Sequence, residues 1–272
     1  MNVLAENGSY KEKIIKELAL SWNESGLVSG DTVLIHSSVS GILKRFKEKE
    51  IILSPEDILE SFIAAAGKEG TLIFPTFNFD FTKGKTFDIR NTKSETGALT
   101  EAARLNRNFI RTGHPLFSFA VTGYHRDKFQ NLYNYSAFGN DSPLSILHKL
   151  DGKIAALDIA GENCMTFYHY IEEMENAPNR FHKVFKGIYI DTDGSETERE
   201  FSLFARNLEM GVETSVKPME EKLWAEGLYT GYRPGTGTGL HVISAKTVYD
   251  KTAEIIREGK SENMLYIIRD KK

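Results

Sequence analysis

The chain has 272 residues, 40% of them hydrophobic and 26% charged, a globular balance that can bury a sizeable core. A net charge of -4 argues against a general nucleic-acid binder, where a basic face is expected. The single Cys164 excludes an intramolecular disulfide framework and a Cys-only zinc site. No apolar run approaches the roughly 18 residues of a spanning helix, and the first residues carry no signal-peptide pattern. The expectation is a soluble cytoplasmic protein with no membrane or nucleic-acid partner.

In chain order, Ile14, Ile15, Leu18 and Leu20 recur near helical spacing and predict a helix over 10–25. Thr32 to Ile35 is a β-branched, apolar run that predicts a buried strand ending at His36-Ser37-Ser38. Ser54-Pro55 starts a helix, with Ser54 at the N-cap and Pro55 at the first helical position, and Gly67 stops it. Thr71 to Pro75 is the next strand, closed by its proline. This β-α-β order implies a parallel pair with a right-handed crossover. Further on, the pattern predicts helices over Ala98–Leu105, from Ser142-Pro143, over Thr166–Met174 and over Ala245–Arg257. Strands are expected over Ser118–Thr122, Ile154–Ile159 and Met264–Ile268. Asp193-Gly194 is a turn signal between Val184–Asp191 and Thr197–Phe201, which predicts a hairpin. The fold class is therefore α/β: a mixed, largely parallel sheet flanked by helices, with an antiparallel element in the C-terminal third. No repeat or linker divides the chain, so residues 1–272 read as one domain.

Ligands of open α/β sheets bind outside the carboxyl ends of strands. Three segments offer polar groups at or near such ends. His36-Ser37-Ser38-Val39-Ser40-Gly41 brings hydroxyls and turn N–H groups that suit phosphate or amide oxygens, or else it is a plain connection. Pro75 to Asp80 alternates aromatic and polar residues, as a pocket lining or a core edge would. Arg111 to Ser118 places Arg111, His114 and Ser118 together, which suits an anion or an acyl carbonyl. Alternatively, His114 simply bonds a backbone carbonyl in its turn. His169 and Glu172 are three apart on a predicted helix and share a face, so the carboxylate can orient the imidazole; the bland alternative is a surface pair of little consequence. Cys164 lies five residues before His169 and raises a Cys–His nucleophile, although isolated cysteines are usually inert. No compact His/Asp cluster supplies a metal site. Arg233 to Gly239 is Gly-rich but fits no phosphate-loop pattern.

The order and spacing of these segments resemble the aminoglycoside 3-N-acetyltransferase family. The matching residues are Leu34 to Val39, Gly70 to Leu72 running into Pro75-Thr76, and Thr96 to Arg104. They continue with Arg111, His114-Pro115 and Ser118, then Ser142 to Leu144, Gly161, Thr166, His169 and Glu172, and Gly237 to Ala245. The resemblance implies an acyl-CoA-dependent N-acyltransferase, with acetyl-CoA as co-substrate and no metal. It implies that His36, Ser37, Ser38 and Val39 contact the CoA pantetheine and pyrophosphate. Thr76, Arg111, His114 and Ser118 would line the thioester end. His169 would be the general base and Glu172 its orienting carboxylate, while Asp80, Glu101, Asn163 and Tyr168 would serve the acceptor side.

The chain departs from the family just before His169. Glu162 to Thr166 keeps the Thr but replaces the usual Asp and Asn, which puts the acceptor in question. Polycationic aminoglycosides want a strongly acidic pocket, and the aromatic run Phe167, Tyr168, Tyr170 suits stacking on a sugar or base. An amino sugar, either aminoglycoside-type or nucleotide-linked, is the expected acceptor. Attack of an amine on a thioester needs a base, for which a positioned His contributes about 10²–10⁴-fold. It also needs oxyanion donors, expected from N–H groups near His36 to Ser38 or from the Ser118 hydroxyl. Against this stand a thioester or ester hydrolase using the same His and a non-catalytic CoA- or sugar-binding relative. A homo-oligomer is left open.

Overall fold

A computed structural model describes residues 3–164 and 166–269; Met1, Asn2 and Met165, touched by the readings above, lie outside them. The first helix, α1 (Val3–Glu24), leads into β1 (Thr32–Ser37), α2 (Ser40–Lys47) and α3 (Pro55–Ala66). Ser54 caps α3 through a reciprocal pair, its Oγ accepting from the Asp57 N–H and its own N–H donating to Asp57 Oδ2 at 2.7 Å. That satisfies two orphan groups of the first turn. Gly67 ends the helix at φ +68°, a conformation that glycine adopts without strain. Next come β2 (Thr71–Pro75), β3 (Phe87–Asp88), α4 (Ala98–Leu105), β4 (Ile110–Arg111), β5 (Phe119–Gly123), α5 (Pro143–Lys149) and β6 (Lys153–Leu157). They are followed by α6 (Thr166–Met174), β7 (Arg180–Ile190), β8 (Glu196–Arg206), β9 (Val212–Thr214), α7 (Lys217–Ala225), β10 (Thr230–Gly231), β11 (Leu240–Ser244), α8 (Ala245–Arg257) and β12 (Tyr266–Ile268).

The main sheet has strand order β10-β11-β6-β1-β2-β5-β4. Its centre is parallel, with β1 between β6 and β2, and both flanks are antiparallel. Side chains alternate across β1. Val33 and Ile35 pack with Trp22, Phe62 and Phe74 beneath α1 and α3. Leu34 faces the opposite side, where Ile73, Phe119, Phe167 and Ile171 form a second core under α6. The mixed α/β class is as expected. Because β5 runs antiparallel to β2, with Pro75 opposite Phe119, the start of one strand meets the end of the other. Thr76 and Ser118, far apart in sequence, are brought together there.

Several elements exceed what the pattern predicts: β3, β4, β9, α7, β10 and β11 carried no expectation, and α2 and the hairpin go beyond theirs. Residues 40–47, of which only Ser40 and Gly41 belonged to the polar segment read after β1, form α2: Val39 and Ile42 are buried, and Lys44, Arg45 and Lys47 occupy its last turn, where cations suit the helix dipole. The hairpin is also longer, pairing continuously from Arg180 opposite Arg206 to Ile190 opposite Glu196. On β7 the added residues, Arg180 to Lys183, are charged or largely exposed, whereas on β8 they include buried Ser202 and Phe204. Among the described residues no helix is long and apolar enough to cross a membrane, and no group of three His, Cys, Asp or Glu could hold a metal ion.

Candidate active site

Helix α6 buries Thr166, Phe167, Tyr168, Tyr170 and Ile171, which fixes its rotation and leaves His169 at the rim of an open pocket of about 680 Å³. After α6 the chain turns at Asn176, with φ +50°, and β7 begins with Arg180 folded back against the helix. Glu172 is fully buried. Its Oε2 lies 3.0 Å from His169 Nδ1 and 2.6 Å from Arg180 Nε, and its Oε1 accepts from Asn179 Nδ2 at 3.0 Å. Burial alone would raise the Glu172 pKa, but His169, Arg180 and Asn179 hold it at about 2, so it is a permanent carboxylate. His169 is pushed below the ordinary histidine value, first by burial and then by the Arg180 charge, with Glu172 opposing. It is therefore neutral at pH 7, as a base must be. Its pKa lies below the ordinary 6.5.

The walls of this pocket come from residues that sequence reading missed. Phe138 packs on His169 with ring centroids 5.4 Å apart, and Phe117 lies 4.7 Å beyond it. Phe181, Lys183 and Phe185 alternate along β7 to form the opposite wall. A period-2 pattern was present there, but exposed phenylalanines interleaved with lysines do not read as a buried strand.

The other expected site residues divide. Ser37 and Ser38 lie at the carboxyl end of β1, half-buried, with the Ser38 N–H donating to Leu157 O at 2.8 Å. The Val39 side chain is buried in the core, so only its backbone can serve a ligand. His36 is buried and pushed down to about 4 by desolvation, and its Nε2 has no hydrogen-bond partner among the described residues. Asn163 is exposed in a short 3-10 turn ahead of α6.

The remaining expectations need correction. Thr76, His114 and Ser118 form the inside of a wall, not its surface, and half-buried Arg111 borders a different pocket, with Ile89, Arg90 and Tyr133. Ser118 Oγ donates to Thr76 O at 2.9 Å and accepts from Arg111 Nε at 3.0 Å, so its one proton is unavailable to an oxyanion. Arg111 also donates to the carbonyls of Ile89, Thr92 and Thr76, bracing the 89–96 loop. His114 is fully buried: its Nδ1 accepts from Leu116 and Phe117 N–H, and its Nε2 meets Ser202 O at 3.2 Å. His114 does bond a backbone carbonyl, but that of Ser202 on β8 rather than one in its own turn, where it accepts from two N–H groups instead. Asp80 is ion-paired with Lys83 and Lys85, each at 3.0 Å, so its charge is answered before any acceptor arrives. Glu101 is clamped by a two-pronged Arg104 contact and by the Ser94 N–H, and it holds a loop. Tyr168 points away from the pocket: its hydroxyl bonds Glu220 in a closed cavity of about 20 Å³ shared with Tyr229 and His241. Phe167 and Tyr170 are equally buried, so this aromatic run builds core and stacks on no substrate.

Cys164 is a poor nucleophile. Its thiol is directed at the carbonyls of Ala160 and Gly161, and burial together with the Glu220 charge pushes its pKa well up. The thiolate needed for attack is therefore absent at neutral pH.

A family model described as aminoglycoside 3-N-acetyltransferase matches residues 34–256. The chain is 26% identical over 183 residues to aminoglycoside N(3)-acetyltransferase VII of Streptomyces paromomycinus, covering 60% of this chain and 61% of that one. It is 25% identical over 156 residues to aminoglycoside N(3)-acetyltransferase IV of Salmonella sp, covering 56% of each. In both alignments the chain spans less than two thirds of the relative's length. Among solved structures, the fold is similar to aminoglycoside acetyltransferase AAC(3)-Xa, with TM-score 0.74, 22% identity and coverage of 90% and 92%. It is also similar to AAC-IIIb in binary complex with CoASH, with TM-score 0.75, 17% identity and coverage of 90% and 96%.

Proposed function

The chain belongs to the aminoglycoside 3-N-acetyltransferase family, and from that premise we propose that it transfers an acetyl group from acetyl-CoA to an amine of an amino sugar, with His169 as general base. The observation that carries this reading is the buried Glu172–Asn179–Arg180 cradle behind His169, which leaves the imidazole neutral at the rim of the open pocket. A protonated amine has no lone pair, so attack on a carbonyl requires a group that accepts a proton. Glu172 then stabilises the imidazolium that forms, as a buried carboxylate does for a basic histidine.

Acetyl-CoA, when bound, supplies the activated acyl group. The residues suited to hold it are Ser37 and Ser38 at the end of β1 and the first N–H groups of α2. Those N–H groups have no partner within the helix, and no acidic side chain occupies its first turn, so they suit a phosphate.

A second reading concerns the acceptor. In the His169 pocket, Arg180 is paired with Glu172, and Glu213 with Arg269 at its outer edge. Lys183 and Arg206 then stand against Glu209. Such a lining is not the acidic pocket a polycation wants, and it favours an amino sugar that carries a phosphate or nucleotide. The test is thiol release from acetyl-CoA against polycationic aminoglycosides and amino-sugar nucleotides. His169→Ala should lower turnover by about 100-fold or more on whichever acceptor is active, with acetyl-CoA affinity little changed. Near-normal turnover by the folded variant would overturn the assignment.

A further inference from the structure

Two groups converge on one nitrogen. His169 Nδ1 lies 3.0 Å from Glu172 Oε2 and 2.7 Å from Arg180 Nη2. A neutral imidazole nitrogen is either a donor or an acceptor. If Nδ1 carries the proton it can donate to Glu172, but it then confronts an Arg N–H at 2.7 Å, and two donors at that distance repel. If Nδ1 carries the lone pair it accepts from Arg180, while Glu172 keeps the Asn179 hydrogen bond on Oε1 and the Arg180 charge 2.6 Å from Oε2, an ion pair without hydrogen-bond geometry. The contact to the guanidinium, which can only donate, is the shorter at 2.7 Å against 3.0 Å to the carboxylate; it favours the second arrangement, which puts the imidazole proton on Nε2. Among the described residues none bonds Nε2, and His169 lines the open pocket.

We propose that Arg180 is a positioning residue that sets the tautomer of His169, holding it at rest with the proton on Nε2, so that the pocket-side nitrogen is a donor until Arg180 lets go. The structure also offers the arginine an alternative partner. Thr214 Oγ1 lies 3.4 Å from the same Nη2, and a small swing exchanges His169 for it while Nε keeps Glu172 and Nη1 keeps Phe204 O. The exchange balances without a co-reactant: Nε2 releases its proton to pocket water, Nδ1 takes one up and donates it to Glu172, and the net charge is unchanged. Arg180 thus gates access to the base form. The charged groups around the imidazole are Glu172 on α6, Arg180 and Lys183 on β7, Arg206 on β8, Glu213 on β9 and Glu209 between them. Among the described residues, only Arg180 and Glu172 bond the ring nitrogens. This inference rests on the proposed base role for its catalytic meaning, but the tautomer can be read without any acceptor.

The experiment is nitrogen-15 NMR of histidine-labelled protein without substrate, with His169→Gln identifying the signal. Wild type at pH 7.5 should show His169 with its proton on Nε2; a proton on Nδ1 would overturn the proposal. In Arg180→Met the proton should move to Nδ1, and the His169 titration midpoint should rise by about one unit, the usual scale for removing a neighbouring like charge. An unchanged tautomer in that variant would equally overturn it. If Arg180→Met does not fold, Arg180→Lys keeps the charge beside Glu172 but loses the planar fork, and the same move of the proton is expected. Should His169→Ala retain turnover while these tautomers are found as stated, the base assignment fails and the Arg180 contact stands.

Discussion

Replacing Glu172 with Gln keeps the shape of the cradle and removes only its charge. Glu172 is held at about 2 against an ordinary 4.5. At 1.36 kcal/mol per unit that difference of 2.5 units favours the charged folded form by about 3 kcal/mol. Its side chain is 2% exposed, and Arg180, at 5%, would be left without a counter-ion; breaking such a pair costs about 3–5 kcal/mol. The two estimates describe the same loss and agree. For a domain of this size a loss of 3 kcal/mol lowers Tm by roughly 6–12 °C. The sign with pH follows from the depressed folded value: the stabilisation is fully present above about 4.5 and declines only as pH falls toward about 2. Thermal melts of wild type and Glu172→Gln should therefore differ by a constant amount between pH 5 and 8. Thiol release at pH 7.5 should fall as well, because the imidazolium loses its anionic partner. Equal melting temperatures for the two proteins at pH 7.5 would refute the reasoning, since a buried carboxylate held this way cannot be neutralised without cost.

Cys164→Ala should keep most of the turnover, because the thiol is buried and protonated; loss of activity together with an acyl adduct on Cys164 by mass spectrometry would require a covalent route. Ser38→Leu should weaken acetyl-CoA binding by about tenfold or more, or 1.4 kcal/mol, as read by calorimetry; unchanged affinity would sink the placement at the end of β1. His36, His114 and His241 are each held by burial at about 4, so the folded state resists protons that the unfolded chain accepts below about 6.5. Stability should fall as pH drops from about 6.5 toward 4, by about 3 kcal/mol per histidine. Denaturant midpoints at pH 7.5 and 4.5 measure this, and His114→Gln should flatten the slope.

Much of this protein was legible in the sequence, for reasons that are local. The capped start at Ser54-Pro55, the helix over Thr166–Met174 and the strand at Thr71–Pro75 depend on neighbours within one turn or on period-2 patterning, and they appear where expected. The i,i+3 spacing of His169 and Glu172 is set by helix geometry alone, so that pair was found before any fold was known. Only the tertiary structure decided which polar groups remain open. Thr76, Arg111, His114 and Ser118 carry reactive-looking side chains, but the antiparallel pairing of β5 with β2 buries them against each other and against carbonyls, and a buried donor must bond whatever is near. Tyr168 adjoins His169 in sequence yet faces the other side of α6, since consecutive helical residues diverge by about 100°. Arg180 reaches His169 only because the turn after α6 folds β7 back along the helix, and no spacing in the chain announces that contact. Sequence named the proposed base and its carboxylate; the chain's return past the helix supplied the arginine that holds them.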